Sequence, residues 1–162
     1  MTTEASFVTY REITRLVSMR IDGEWLQFND GVLRPVIRAK VLTSDGRWHP
    51  AEFLVDTGAD RTVLSAGTLS RLGLEPVITQ DGLSGMGGLV DSVLVETEIQ
   101  LTRETGGKVI FRGQFAAVTE LEALDISVLG RDISGLFAVI VDQPGDVVSL
   151  LGQRHRYSIV QA

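Results

Sequence analysis

Short runs of Val, Ile and Leu occur along the whole chain, and glycine-containing turn signals separate them. With 17 glycines among 162 residues, this pattern indicates many short strands and few helices. An apolar content of 44% is enough for one proper core, and no low-complexity linker divides the chain. We therefore predict one mostly β domain.

Turn signals also predict where strands pair as β-hairpins. Asp22-Gly23 is typical of a tight turn, so a hairpin is expected over residues 19–26. Another hairpin, long and flexible, has the glycine-rich segment 82–88 at its tip. The predicted arms are residues 36–42 with 48–55 around the turn 44–47, residues 77–80 with 89–101 around the glycine-rich tip, and residues 137–141 with 147–151 around the turn 143–146.

Helical signals are few. Ser65 can cap the start of a short helix, and Gly73 can end that helix in a left-handed conformation. A helical turn is expected over residues 131–136. The remaining strands are predicted around residues 109–118 and 126–129.

The charge balance argues against several kinds of partner. The chain has 15 basic and 21 acidic residues, and its net charge of −6 repels nucleic acids and anionic membranes. No segment approaches membrane-spanning length, and residues 1–10 lack the features of a secretory signal. We expect a cytoplasmic protein with no nucleic-acid or membrane partner.

Metal and thiol chemistry have little support in the sequence. Cysteine is absent, which removes thiol nucleophiles and zinc-thiolate sites and fits a reducing compartment. The two histidines, His49 and His155, have no other ligand at metal-binding spacing. We expect no metal ion and no other cofactor.

One acidic residue follows an apolar run directly. Asp56 comes after the Phe-Leu-Val segment 53–55 and before Thr57-Gly58, so we expect its carboxyl group to be buried at the end of a strand. Burying a carboxylate costs free energy, and such a position therefore indicates a site that uses the acid. Asp also begins many turns and caps many helices, and a lone Asp-Thr-Gly leaves that alternative open.

Three motifs in a fixed order add to this interpretation. Residues 53–65, with Asp56-Thr57-Gly58-Ala59 at their centre, resemble the active-site strand and loop of retropepsins, the single-lobe homodimeric aspartic proteases of retroviral type. Residues 127–132 resemble the family's pattern of two apolar residues followed by Gly, Arg and Asp. Between these motifs, residues 85–88 stand where the family has the tip of its flap.

The resemblance implies a closed six-stranded β-barrel of the acid-protease (retropepsin) fold, with one or two short helices and a flap hairpin. It places the protease domain at residues 31–162. Residues 1–30 are then an N-terminal extension, in which a β-hairpin at the dimer interface is one possibility.

The family's functional residues correspond to positions that match its motifs. By resemblance, Asp56 is the catalytic acid or base, the Thr57 hydroxyl locks two loops in register, and Gly58 lets the substrate backbone approach closely. Asp60 resembles a substrate-binding residue that forms a buried ion pair with Arg131. The resemblance implies substrate binding by Ala59, Asp60, Gly85, Met86, Gly87 and Gly88, and structural support by Gly130 and Arg131.

A single Asp-Thr-Gly segment implies that two chains form one active site. Hydrolysis by this chemistry needs one ionised and one protonated carboxyl group close together. Two-lobed aspartic proteases carry two such loops on one chain, whereas this sequence has one. The second carboxyl group then belongs to Asp56 of a second copy, across a two-fold axis. The sequence thus predicts a homodimeric aspartic endopeptidase that acts on a peptide or protein substrate.

A retropepsin fold that no longer cuts is the alternative, as a dimerisation or peptide-binding module. The intact Asp56-Thr57-Gly58 and the glycine-rich flap favour an active enzyme. A pure scaffold has little physical need for an acid at a symmetry axis.

Overall fold

The computed structural model describes residues 6–7, 19–85 and 88–152, and this part of the chain is mostly β. Two short helices, α1 (Ala66–Leu72) and α2 (Arg131–Ser134), accompany the strands. The strands are β1 (Ser6–Phe7), β2 (Arg20–Asp22), β3 (Glu24–Gln27), β4 (Leu33–Leu42), β5 (Trp48–Val55), β6 (Val63–Leu64), β7 (Ile78–Gly85), β8 (Gly88–Thr102), β9 (Lys108–Val118), β10 (Ser127–Leu129), β11 (Ala138–Asp142) and β12 (Val147–Leu151).

Six strands of the described chain form a closed ring. Their order is β9, β6, β10, β5, β4 and β8, and β8 pairs again with β9 to close the circle. The β10–β5 and β6–β9 pairs are parallel, whereas the other neighbours in the ring are antiparallel. Strands β1, β3 and β7 add to β9, β4 and β8 respectively. The ring and the two helices confirm the predicted mostly β fold.

The core of the protein fills this ring. On β5, Phe53 and Val55 are buried, while Leu54 between them is only half-buried, as expected when successive side chains point to opposite faces. All six ring strands contribute to one apolar cluster, through Ile37, Phe53, Leu64, Val95, Phe111 and Leu129 among others.

Local sequence signals account for the turn between β4 and β5 and for helix α1. Gly46 adopts a positive φ of 80° in the predicted turn, and the Thr43 N–H donates to the Arg47 carbonyl oxygen at 2.8 Å. The Ser65 hydroxyl accepts from the Thr68 N–H at 3.2 Å, and Gly73 ends the helix with a φ of 61°. Neither helix in the described residues is long and apolar enough to cross a membrane.

A second, smaller sheet corrects one prediction. Strand β12 pairs antiparallel with both β11 and β2, so the predicted hairpin of β11 with β12 is confirmed. The predicted hairpin around Asp22-Gly23 is wrong, because β2 joins this small sheet while β3 pairs with β4 of the ring. The chain therefore crosses between the sheets at Gly23.

Close packing at the crossing explains why a glycine is needed. A Cβ on residue 23 would collide with the Val36 carbonyl oxygen and lie 2.8 Å from Cγ1 of Val148. The Gly23 N–H donates to the Val148 carbonyl oxygen at 2.8 Å instead of closing a tight turn. Gly23 is therefore needed because other atoms approach its backbone closely, and not because the chain reverses direction there.

Candidate active site

Asp56 stands at the carboxyl end of β5, where it leaves the ring. Its N–H donates to the Leu129 carbonyl oxygen of the parallel strand β10 at 3.3 Å. Asp56 is half-buried in the single chain rather than buried as predicted, and Thr57 and Gly58 beside it are exposed. The carboxylate oxygen Oδ1 of Asp56 accepts from the Gly58 N–H at 2.9 Å, which holds the side chain against its own loop.

Helix α2 lies directly against the loop that Asp56 begins. The Arg131 N–H donates to the Ala59 carbonyl oxygen at 2.8 Å, and the Asp132 N–H donates to that of Asp60 at 3.2 Å. A Cβ on Gly130 would collide with the carbonyl group of Arg61, so this approach requires glycine. The segment with Gly130 and Arg131 thus contacts the loop, and its role as structural support stays a prediction.

Thr62 and Asp132 tie the loop and the helix together, and the sequence analysis did not single them out. Thr62 is fully buried, and its hydroxyl donates to Asp132 Oδ1 at 2.7 Å and accepts from the Gly130 N–H at 3.1 Å. The same carboxylate oxygen accepts from the N–H groups of Thr62 and Ile133, each at 2.9 Å. Asp132 could have been found from its position in the Gly-Arg-Asp pattern, whereas no sequence pattern pointed to Thr62.

Asp60 and Arg131 form the predicted ion pair, but it is not buried. The guanidinium Nη2 of Arg131 donates to Oδ1 of Asp60, and their side chains are 58% and 80% exposed, respectively. An ion pair this open to water contributes on the order of 0–1 kcal/mol to the stability of a single chain. The pair is therefore available to a ligand or a second chain rather than a source of stability.

The predicted long hairpin is present as far as the structure describes it. Strands β7 and β8 are antiparallel up to the pairing of Gly85 with Gly88, with a register shift between Gln80 and Leu83. Met86 and Gly87, predicted at the tip, lie outside the described residues. Their contact with substrate remains a prediction.

A cavity of about 220 Å³ opens near Asp56. Its lining includes Leu54 of β5 and Val128 of β10, which are paired across the two strands. Leu54 is two residues before Asp56, so the pleat directs both side chains to the same side of β5. Phe28, from the turn between β3 and β4, and Arg34, the second residue of β4, line the cavity as well.

In the turn between β3 and β4, the pKa of the Asp30 carboxyl group is shifted. Arg34 Nη1 and Nη2 donate to the two carboxylate oxygens of Asp30 at 2.9 Å and 2.6 Å. These bonds, followed by the Val32 N–H on Oδ1, lower the pKa of Asp30 to about 2. The pair stays ionised from mildly acidic pH upward, which keeps the turn fixed beside the cavity.

A known protein family matches the part of the chain that contains Asp56 and α2. The sequence model of the family described as gag-polyprotein putative aspartyl protease matches residues 43–135, a range that contains Asp56 and all of α2. A comparison with curated protein sequences finds no significant match.

Similar solved structures include two proteases. The EIAV protease in complex with the inhibitor HBY-793 is 23% identical at a TM-score of 0.44, over 68% of this chain and 92% of that chain. A retropepsin-like aspartic protease from Rickettsia conorii is 21% identical at a TM-score of 0.45, over 84% of this chain and 96% of that chain. With more than half of its length matched by the family model, the chain belongs to the gag-polyprotein aspartyl protease family.

Proposed function

We propose that this protein is an aspartic endopeptidase that hydrolyses peptide bonds with water activated between Asp56 and Asp56 of a second copy. The observation that carries the proposal is the single Asp56-Thr57-Gly58 loop at the open end of β5, inside the segment that matches the protease family. One chain supplies one carboxyl group at this loop. The partner chain supplies the other.

The chemistry follows from the approach of two carboxyl groups. Like charges this close cannot both ionise, so the pair shares one proton. The ionised carboxylate takes a proton from water as the water oxygen attacks the peptide carbonyl carbon, while the protonated carboxyl group donates to the carbonyl oxygen. Proton transfer to the amide nitrogen then releases the amine. No covalent bond forms between enzyme and substrate.

The surrounding residues have supporting roles in this proposal. The Thr57 hydroxyl is on an exposed residue of the single chain, where it can reach the backbone of a partner's loop. A Cβ on Gly58 would lie 3.1 Å from Asp56 Oδ1, so a larger residue would crowd the carboxyl group and the substrate. Asp60 and Ala59 bind substrate backbone, and the hairpin tip with Gly85, Met86, Gly87 and Gly88 folds over it.

The test is Asp56→Asn, assayed with a fluorogenic peptide library. Asn keeps an oxygen that can accept the Gly58 N–H, so the fold should persist. We expect kcat/KM to fall by several orders of magnitude, as for other lost catalytic groups. Asp45→Asn is the matched control, because Asp45 is in the turn at the opposite end of β5.

The outcomes separate the proposal from the alternative of a non-catalytic module. Activity in Asp56→Asn above a small fraction of the wild-type value would contradict the assignment of Asp56. Peptide binding by the wild type without any cleavage across roughly pH 3 to 8 would favour the peptide-binding module.

A further inference from the structure

We infer that Phe28 is a specificity-determining residue, which closes the side-chain pocket beside Asp56 and limits the size of the apolar substrate side chain that enters it. This inference rests on the proposed function and names its substrate preference. The sequence analysis assigned Phe28 to the N-terminal extension and gave it no role.

The pocket is the 220 Å³ cavity whose wall contains Leu54 and Val128. Both side chains lie on the face of the β5–β10 pair toward which Asp56 projects. A peptide held at Asp56 would place a neighbouring side chain over this face. A two-fold axis at Asp56 would place one copy of the cavity on each side of the bond that is cut.

Phe28 stands between this cavity and a larger one. A second cavity of about 500 Å³ also has Phe28 in its lining, together with Leu121 and Asn29. The residues common to both cavities are Phe28, Leu124 and Asp125. Of these, Phe28 has the largest side chain, so its truncation would open the most space toward the second cavity.

The turn between β3 and β4 holds Phe28, which forms one wall of the pocket, in place. The Phe28 N–H donates to the Val32 carbonyl oxygen at 3.1 Å, and the Phe28 carbonyl oxygen accepts from the Gly31 N–H at 2.9 Å. The guanidinium carbon of Arg34 lies 4.8 Å from the centre of the Phe28 ring, and Asp30 holds Arg34 through both carboxylate oxygens. A ring held in this way can set a size limit.

The chemistry of the lining determines the kind of side chain accepted. Leu54, Ile126 and Val128 present apolar groups, and the carboxylates of Glu122 and Asp125 complete the pocket. An acidic substrate side chain would meet these two like charges, while the one cation in the lining, Arg34, is already paired with Asp30. The pocket therefore selects apolar side chains and rejects acidic ones, with an upper size limit at Phe28.

The experiment measures kcat/KM for peptides that differ only in the residue beside the scissile bond, in the series Ala, Val, Leu, Phe and Trp. Phe28→Ala should shift the Trp-to-Val ratio toward Trp by about tenfold or more, and Phe28→Trp should shift it toward Val. Leu121→Ala is the matched control, because Leu121 lines only the larger of the two cavities. If Phe28→Ala does not fold, Phe28→Leu makes the same test with a smaller expected shift.

A second arm measures binding of the same peptides to Asp56→Asn protein, with and without Phe28→Ala. If peptides are cut but the ratio is unchanged, or changes equally in Leu121→Ala, the inference is overturned and the proposed function stands. If peptides bind with the expected shift but are never cut, hydrolysis is overturned and the inference stands. If no peptide is bound or cut, both are overturned.

Discussion

A fully buried threonine holds the active-site loop against the helix beneath it. The hydroxyl of Thr62 is a donor to Asp132 and an acceptor for the Gly130 N–H, which is itself buried. Hydrogen bonds to a charged group are stronger than neutral ones, and a buried N–H without a partner is costly. This side chain therefore fixes the distance between the Asp56 loop and α2 together with the backbone hydrogen bonds from Arg131 and Asp132 to the loop.

We expect Thr62→Val to lower the free energy of unfolding by about 2–4 kcal/mol, because two hydrogen bonds are lost and the Gly130 N–H has no acceptor. Thr62→Ser keeps the hydroxyl and loses one methyl group, so it should cost only about 1 kcal/mol. Urea denaturation of both variants measures the difference. Equal losses in the two variants would show that packing, not the hydroxyl, is the important contribution.

At the scale of the elements, the crossing at Gly23 is the feature that joins the ring to the small sheet. Strand β2 ends at Asp22 and β3 begins at Glu24, so one residue separates strands of different sheets. The chain can pass only because neither Val36 nor Val148 has to make room for a side chain. Packing of the two sheets therefore depends on this glycine.

Gly23→Ala should destabilise the fold by about 2–3 kcal/mol, since the new methyl group collides with backbone that cannot move freely. Gly113→Ala is the matched control. Gly113 also lies in a strand, β9, but a Cβ added there would have no heavy atom within 4 Å beyond its own chain neighbours. Thermal unfolding followed by circular dichroism checks the pair, and similar midpoints for the two variants would refute the packing argument.

The same crossing shows how far local signals extend. Asp-Gly is a strong hairpin signal, yet β2 does not pair with β3. It pairs with β12, which lies near the other end of the described chain. The cap at Ser65 and the left-handed Gly73 depend only on neighbours, and both were predictable. Thr62 depends on Asp132, and Phe28 on a cavity formed by distant strands, so neither could be found from the sequence.

At the scale of the whole molecule, the loop that carries the proposed catalytic Asp56 is open to solvent on one chain. Asp56 is half-buried and Thr57 and Gly58 are exposed, although the motif resembles one that works in a closed, two-fold site. The motif could be recognised from the sequence, but the shape of the surface around it could not. This exposed loop is the structural reason to expect a partner.

We predict a homodimer whose activity depends on concentration. As the protein concentration increases, the mass from sedimentation velocity should rise toward twice the mass of one chain. Activity per chain should rise over the same concentration range. Asp56→Asn should dimerise at least as well, because it removes the cost of holding a charged carboxyl pair that shares one proton at the axis. A strictly monomeric protein that still hydrolyses peptides would rule out the shared site.

The closed ring has a consequence for the timing of motion at the active site. Its shortest strand, β6, pairs at Val63 with Val128 and only over two residues with β9, whereas β8 and β9 pair along most of their length. We expect local opening of the ring at this short seam, because few ladder hydrogen bonds have to break there. Because β6 begins directly after Thr62, each such opening would release one end of the Asp56 loop. The lifetime of this two-residue seam would then limit how long the Asp56 loop keeps its position.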